Sequence, residues 1–376
     1  MKKVLFTATY GDFLATFELS NIKILRELHC EVHCASNFTN AAYNRNLEKL
    51  KEAGVILHEV DFSRTPCSGR NIAAYRKLKQ IMRDEQIDIL DTHNPIVSVF
   101  ARWAAHRCRL RHVFYTTHGF AFYEGSSFRK KVLYKTMEKV CARYTDHLIC
   151  INREDYRAAS TMPVRGKVLY VPGVGIDTVK IAEVPTLKAQ YCAQLQIPSD
   201  AGILISVGEL IPRKNYRSAL LAFHRLGLEN TYYLICGIGT LQEELQEEVR
   251  QLGLTGKVRF LGYRSYVIQL MKISDIFVHT SFQEGLPVAL MEAMACGLPC
   301  LVSAIRGNTD LITSDQGGLL CAPTDHAALA ASMGVLLKDT KRRAEYGRYN
   351  LAKSKKFDIA QVQDTMHKEY KKAIRS

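Results

Sequence analysis

The stretch Phe282-Gln-Glu284-Gly285-Leu286-Pro287-Val288-Ala-Leu-Met-Glu292-Ala-Met-Ala-Cys-Gly297 places two carboxylates eight residues apart across the start of a predicted helix. The apolar run before it, residues 274–280, predicts a buried strand, so Glu284 falls in the loop at the strand's carboxyl end. Pro287 suits the first turn of a helix and Gly297 its end. Glu284 is therefore predicted to lie where open α/β sheets bind ligands, and Glu292 on the helix that follows.

The backbone between the two acids is predicted to bind a diphosphate. A helix begins with unpaired N–H groups and the positive end of its dipole, and both attract anions. The residues concerned are Gly285, Leu286, Pro287 and Val288. Glu284 could then face a sugar and Glu292 a ribose. The alternative is structural, because acids favour helix N-termini in any protein.

The same run resembles the E-x7-E signature of retaining glycosyltransferases of family 4. That resemblance implies the GT-B fold, in which two Rossmann-like, doubly wound α/β domains face each other across a cleft. It also implies that Glu284 contacts the donor sugar and that Glu292 binds the nucleotide ribose.

The rest of the chain has the alternation that such a fold requires. Short apolar strands alternate with amphipathic helices from Val4 to Val171 and again from Gly202 onward, which predicts parallel sheets. The predicted domains are 1–175, which would bind the acceptor, and 201–355, which would bind the donor, joined by a connection at 176–200. The family resemblance implies that the final helix, within 356–376, crosses back to the first domain.

A second strand-to-helix turn, from Gly208 to Tyr216, carries cations suited to a phosphate. In the family, a lysine six residues after the glycine holds the donor diphosphate, and Lys214 matches it. The usual arginine after that glycine is replaced by Glu209. Either Arg213 supplies the second positive charge or the site has one cation fewer. An exposed basic helix start is the alternative for both cations.

Three further turns are predicted to lie near the nucleotide or the donor. Gly237 belongs to a strand-to-helix turn, and Tyr263 and Arg264 occupy the position where family members hold the base through backbone groups. His118, in Thr117-His-Gly119, resembles the family's T-x-H-G element, which implies donation to the donor sugar or the departing phosphate. Gly11, after the first strand, is predicted to let backbone approach the phosphates.

The net charge of +14 is uneven, with +10 over residues 1–180, −3 over 181–340 and +7 over 341–376. This pattern predicts attraction to an anionic surface. No nucleic-acid-binding signature accompanies the charge, so a nucleic acid is not predicted as a partner. Residues 101–150 mix ten basic side chains with aromatic ones, which favours the anionic headgroups of a membrane, although a solvated helix face is the alternative.

The sequence predicts no metal and no cofactor. The eleven cysteines are scattered without a C-x-x-C pair, so reduced thiols in a cytoplasmic protein are expected. No apolar run reaches the length of a membrane span, and the N-terminus lacks the features of a signal peptide. No G-x-G-x-x-G is present, which weakens a dehydrogenase interpretation. No D-x-D metal-holding pair is present either.

Further segments, from Thr117–Glu124 to Ile305–Asp310, resemble bacterial family 4 enzymes of exopolysaccharide and capsule assembly. That resemblance implies a UDP-sugar donor and an undecaprenyl-diphosphate-linked saccharide acceptor at the inner leaflet, with the protein peripherally associated with the membrane. Two alternatives remain open: a UDP-sugar 2-epimerase of the same fold, and a non-catalytic nucleotide-sugar-binding scaffold protein. No sequence pattern indicates an oligomeric state.

Overall fold

The computed structural model describes residues 1–40, 44, 46–66, 68–123 and 125–376. The chain divides into two compact units. Unit 1 comprises Met1–Val174 and Ala360–Ser376, and unit 2 comprises Gly175–Ile359.

Thirteen strands are present in the described residues: β1 (Lys3–Tyr10), β2 (Glu31–Asn37), β3 (Ile56–Glu59), β4 (Ile89–His93), β5 (His112–Thr117), β6 (His147–Cys150), β7 (Lys167–Tyr170), β8 (Gly202–Val207), β9 (Thr231–Cys236), β10 (Val258–Gly262), β11 (Ile276–His279), β12 (Cys300–Ser303) and β13 (Gly318–Cys321). The α-helices of the same residues are α1 (Gly11–Phe13), α2 (Leu19–Glu27), α3 (Leu47–Glu52), α4 (Gly69–Asp84), α5 (Pro95–Cys108), α6 (Phe128–Ala142), α7 (Arg153–Ala159), α8 (Thr178–Glu183), α9 (Lys188–Leu195), α10 (Tyr216–Leu226), α11 (Gln242–Gln251), α12 (Val267–Lys272), α13 (Val288–Ala295), α14 (Asn308–Leu311), α15 (His326–Lys338), α16 (Thr340–Ser354) and α17 (Ile359–Arg375). A π-helical turn covers Leu14–Glu18, and 3-10 turns cover Pro212–Lys214 and Lys355–Phe357.

Each unit contains one parallel, doubly wound sheet. The strand order is β3-β2-β1-β4-β5-β6-β7 in unit 1 and β10-β9-β8-β11-β12-β13 in unit 2. The central strands are buried along almost their whole length, as in β1 and β8, because helices cover both faces of such sheets. The α/β architecture predicted from the alternation is confirmed.

The strand order reverses direction once in each sheet, between β1 and β4 in unit 1 and between β8 and β11 in unit 2. The loops that leave two such neighbouring strands run to opposite sides and open a crevice at their carboxyl ends. Gly208 follows β8, and the segment that contains Glu284 follows β11. The segment 282–297 therefore begins at the carboxyl edge of the second sheet, where sheets of this kind bind ligands.

Several predicted element boundaries need correction. The region predicted as a connection, 176–200, contains helices α8 and α9, both in unit 2. The side chain of Asp177 caps α8 by accepting a hydrogen bond from the Lys180 amide. Such a cap is a local signal of a helix, but the glycines and prolines of this region favoured the prediction of a connection. Helix α3 begins at Leu47, and residues 41–43 and 45 before it lie outside the described part of the chain.

Helix α17 belongs to unit 1 although it ends the chain. Its buried apolar residues, Val362, Met366, Tyr370 and Ala373, recur at the spacing of one helix face. The Tyr370 ring lies 5.1 Å from that of Phe114 on β5, measured between centroids. The amphipathic pattern of α17 is therefore satisfied by the core of the first sheet.

Candidate functional site

Glu284 is the centre of a cluster of charged groups in unit 2. It is buried, with its Oε1 2.7 Å from Lys214 Nζ and its Oε2 3.0 Å from an Arg213 guanidinium nitrogen. His279 Nε2 lies 3.2 Å from the same Oε1. Burial alone would raise the pKa of Glu284, but His279, Lys214 and Arg213 together hold it well below its usual range. The carboxylate is therefore ionised at neutral pH.

The backbone around Glu284 is fixed by the same neighbours. Arg213 also donates to the Gln283 carbonyl at 2.8 Å, and Arg306 Nε donates to the Glu284 carbonyl at 3.1 Å. A loop carboxylate held at both its side chain and its backbone keeps one orientation, as ligand positioning requires.

Glycines allow the turns after β8 and β9 to approach each other and the lysine. Gly208 has φ +152°, and a Cβ there would lie 3.4 Å from Lys214 Cε. A Cβ on Gly237 would lie 1.9 Å from the Gly208 carbonyl oxygen, a distance that no side chain tolerates. The two predicted glycine turns therefore pack on each other, and Lys214 extends over the first of them.

Glu292 lies on α13 and differs from Glu284 in its surroundings. Burial raises the pKa of Glu292 to about 7. Helix α13 begins at Val288 with Pro287 as its N-cap, one residue later than predicted. The helix runs for eight residues, and the amides of Leu290 and Met291 both donate to the Pro287 carbonyl.

The remaining predicted residues of unit 2 are placed as follows. Leu286 is buried. Gly285 lies against Gly307, and a Cβ added to Gly307 would lie 2.4 Å from the Gly285 carbonyl oxygen. Tyr263 is exposed, and Arg264 stacks over the Tyr266 ring, 5.9 Å from its centroid.

His118 belongs to a different cluster, in unit 1. Its Nε2 lies 3.2 Å from His93 Nδ1 and 3.4 Å from Glu18 Oε1. Burial, the largest influence, lowers the pKa of His118, while the charges and hydrogen bonds from His93 and His118 lower the pKa of Glu18 despite its burial. Gly11 lies in the same unit, and the space beside it is filled by Phe38 and Leu47. Close side-chain packing thus requires a glycine at position 11.

Sequence reasoning missed four residues of these clusters: His279, Glu18, His93 and Asp91, whose Oδ1 lies 3.3 Å from His93 Nε2. His279 and His93 had a detectable signal, since each is a polar residue that ends a buried strand. Glu18 had none, because its inward direction depends on the π-helical turn that precedes α2.

Comparison with known proteins defines the class. Residues 22–180 match the family description Glycosyltransferase Family 4, and residues 188–353 match Glycosyl transferases group 1. A structure of Anabaena Alr3699/HepE in complex with UDP-glucose has a TM-score of 0.80 at 20% identity, covering 99% of this chain and all of that one. Together, fold and matches define a glycosyltransferase with the GT-B fold.

Two curated relatives narrow the assignment. The putative glycosyltransferase EpsD of Bacillus subtilis is 31% identical over 88% of this chain and 86% of its own length. An Escherichia coli UDP-Gal:alpha-D-GlcNAc-diphosphoundecaprenol alpha-1,3-galactosyltransferase is 29% identical over 73% of this chain and 75% of its own. The chain belongs to the bacterial glycosyltransferases of family 4.

Proposed function

We propose that this enzyme transfers a hexose or N-acetylhexosamine from a UDP-sugar to an undecaprenyl-diphosphate-linked saccharide, with retention of anomeric configuration. The observation that carries the proposal is the group formed by Lys214, Arg213 and Glu284 at the carboxyl edge of the second sheet. The UDP donor is supported by the name of the Escherichia coli relative and by the bound ligand of the Anabaena structure. The same relative's name supports the lipid-linked acceptor. A role in cell-surface polysaccharide synthesis is part of the same proposal.

In this proposal, cations and backbone dipoles neutralise the leaving diphosphate. Lys214 and Arg213 carry the positive charges, and the amides of Gly285, Leu286 and Val288, just before and at the start of α13, add their N–H groups. Gly208 and Gly237 leave room for the nucleotide, and Tyr263 and Arg264 border its base. This stabilisation needs no metal and no cofactor.

The acids and the histidine position the donor. Glu292 accepts hydrogen bonds from the ribose hydroxyls and Glu284 from the sugar, while His118 donates to the sugar or the departing phosphate. The chain supplies no assigned nucleophile. The acceptor attacks the face from which UDP departs, and the phosphate takes the acceptor's proton.

The proposed ribose contact predicts a pH dependence. Because burial raises the pKa of Glu292 to about 7, its carboxylate form is lost as pH falls through 7. Affinity for a UDP-sugar should therefore weaken by up to about tenfold per pH unit below 7 and reach a plateau above about pH 8. Titration calorimetry with a UDP-sugar across this pH range measures the affinity.

A UDP-sugar is the appropriate probe because its diphosphate does not titrate there, whereas the terminal phosphate of UDP does. In Glu292→Gln, the affinity for the UDP-sugar should no longer change with pH and should equal the weak affinity of the wild type at low pH. An unchanged profile in that variant would remove Glu292 from the ribose site.

We also propose that unit 1 binds the anionic inner leaflet, with the enzyme cytoplasmic and peripherally attached. Helix α6 exposes apolar side chains beside basic ones, a combination suited to the headgroup region. The exposed apolar residues are Phe128, Val132, Leu133 and Val140, and the basic ones include Arg129, Lys130, Lys135 and Lys139. None of the helices in the described part of the chain is long and apolar enough to cross a bilayer.

Vesicle sedimentation checks this surface. Replacing Lys135 and Lys139 together by alanine should weaken binding to phosphatidylglycerol vesicles by about 10- to 30-fold, since each cation contributes about 1 kcal/mol near anionic lipid. The matched control, Arg217→Ala with Arg225→Ala in unit 2, should bind like the wild type. Equal binding by all three proteins would contradict the assignment.

The proposed reaction itself is tested by release of UDP. UDP- and GDP-sugars are screened with and without an undecaprenyl-diphosphate disaccharide, and the anomer of the product is determined by NMR. UDP release that requires the acceptor supports the transferase. An epimerised nucleotide sugar without acceptor would instead identify a 2-epimerase, and binding without turnover would identify a scaffold protein.

A further inference from the structure

Three donor atoms in unit 1 form a nearly equilateral triangle. Glu18 Oε1 lies 3.4 Å from both His93 Nδ1 and His118 Nε2, and the two nitrogens are 3.2 Å apart. A point equidistant from the three atoms lies about 1.9 Å from each, and ligand distances to zinc are about 2.0–2.2 Å. An ion of that size fits just off the plane of the triangle.

Hydrogen bonds leave one edge of this triangle without a donor, even when both imidazole nitrogens donate to Glu18 Oε1. At most two of its three edges can hold an N–H donor, and an imidazole nitrogen carries either a proton or a lone pair. A cation at the centre accepts a lone pair from all three atoms at once. The other carboxylate oxygen of Glu18 is already occupied, because it accepts from the Asn21 side chain at 2.7 Å.

The two buried carboxylates near this triangle, Glu18 and Asp91, also require a positive charge. Glu18 and Asp91 are 1% and 0% exposed. In the described part of the chain, neither forms an ion pair with a lysine or arginine, and their charged neighbours are His93 and His118. Buried carboxylates require a compensating charge, which either a proton on a histidine or a bound metal ion can supply.

The surroundings favour the metal ion. His93 Nε2 faces Asp91 Oδ1 at 3.3 Å, and Asp91 Oδ2 accepts from the Tyr370 hydroxyl. A metal-bound histidine typically directs its other nitrogen at a carboxylate that fixes the ring and raises its basicity. Asp91 is placed to act in this way.

A fourth ligand position is available. Glu18 and His118 border a cavity of about 20 Å³ in unit 1, which is enough for one water molecule. Two histidines, a carboxylate and a water make a tetrahedral set that suits zinc, whereas magnesium and calcium prefer oxygen ligands.

We propose that Glu18 Oε1, His93 Nδ1 and His118 Nε2 bind a divalent transition-metal ion of the zinc type. The site is in unit 1 and shares His118 with the proposed positioning of the donor, whereas the cations proposed to neutralise the diphosphate, Lys214 and Arg213, are in unit 2. When the metal ion occupies Nε2 of His118, the ring proton is on Nδ1. The ion therefore fixes the tautomer, and Nδ1–H is the group with which His118 can donate a hydrogen bond to a ligand.

Metal analysis of the full chain tests the proposal. The protein is first stripped of metal with EDTA and then reloaded with zinc. The wild type should then hold one zinc ion per chain more than Glu18→Gln, a variant that keeps the side-chain shape and removes the charge. Affinity should fall by at least about 100-fold in Glu18→Gln and by about 10- to 100-fold in Asp91→Asn. Cobalt should give the absorption of a tetrahedral nitrogen and oxygen site without thiolate bands.

A matched control uses the other histidine pair of unit 1. His33 Nδ1 and His58 Nε2 lie 2.9 Å apart, and His58→Gln should retain the ion with unchanged affinity. Circular dichroism confirms folding of each variant. A folded wild type with no zinc, or full zinc in Glu18→Gln, would overturn the proposal and leave a protonated histidine as the compensating charge. UDP affinity should be unaffected by EDTA, so failure here is distinguishable from failure of the proposed transfer reaction.

Discussion

Lys214→Ala is expected to lower turnover by about 100-fold or more, the loss that follows removal of one preorganised electrostatic group. The lysine is proposed to neutralise the leaving diphosphate, so UDP affinity should fall as well. Steady-state kinetics with a UDP-sugar and acceptor, and calorimetry with UDP, measure the two effects.

The same substitution should also destabilise the protein. Lys214 contacts the buried carboxylate of Glu284 at 2.7 Å, and removing a partner from a buried charge costs about 1–3 kcal/mol. Arg213 and His279 remain in contact with the carboxylate, which keeps the loss below that of an isolated charge. Denaturant unfolding measures it.

A double variant separates the two roles of Lys214. Glu284→Gln combined with Lys214→Ala removes the carboxylate that has lost one of its partners and should recover part of the lost stability, with turnover still low. Arg217→Ala is the matched single control, since this exposed cation one turn along α10 pairs with Glu248 instead. Normal turnover in Lys214→Ala would refute the proposed role of the lysine.

Glu284→Gln is the second large effect, with turnover again expected to fall by about 100-fold or more. The carboxylate is proposed to hold the donor sugar, and an uncharged amide replaces it at nearly the same size. UDP affinity should not weaken, because Glu284 competes with the diphosphate for Lys214 and Arg213 when the nucleotide is absent.

This opposite behaviour of kcat and UDP affinity distinguishes Glu284 from Lys214. Glu248→Gln, at a partly buried acid that pairs with Arg217 in unit 2, is the matched control and should transfer at the wild-type rate. If Glu284→Gln bound UDP as weakly as Lys214→Ala does, the acid would have a structural role in the phosphate site.

Local patterns were sufficient to predict the elements that carry the site. The alternation was predicted to restart at Gly202, where β8 begins, and a helix was predicted after Glu284, where α13 lies, because apolar runs, Pro287 and Gly297 act over a few neighbouring positions. Later elements such as β13 and α15 were not predicted, since their apolar residues give no clear period. The placement of Glu284 at a strand's carboxyl end needed only the order of elements.

The partners of Glu284 could not be predicted from local patterns. Its contact with Lys214 joins residues 70 positions apart, and it exists because β8 and β11 are neighbours at the point where the strand order reverses. The resemblance named both residues separately but gave no reason for their ion pair or for His279.

The amino-acid sequence by itself determined the two α/β sheets, and its resemblance gave the family. It also placed Glu284 and Lys214 in the turns after strands and Glu292 on the following helix, because periodicity and spacing are local properties. Only the tertiary structure decided which charges meet. It brought Arg213, Lys214 and His279 to one carboxylate, and Glu18, His93 and His118 to one point. The physical reason is that strand order and the π-helical turn before α2 bring together side chains that are distant along the chain, and burial then makes their charges depend on one another.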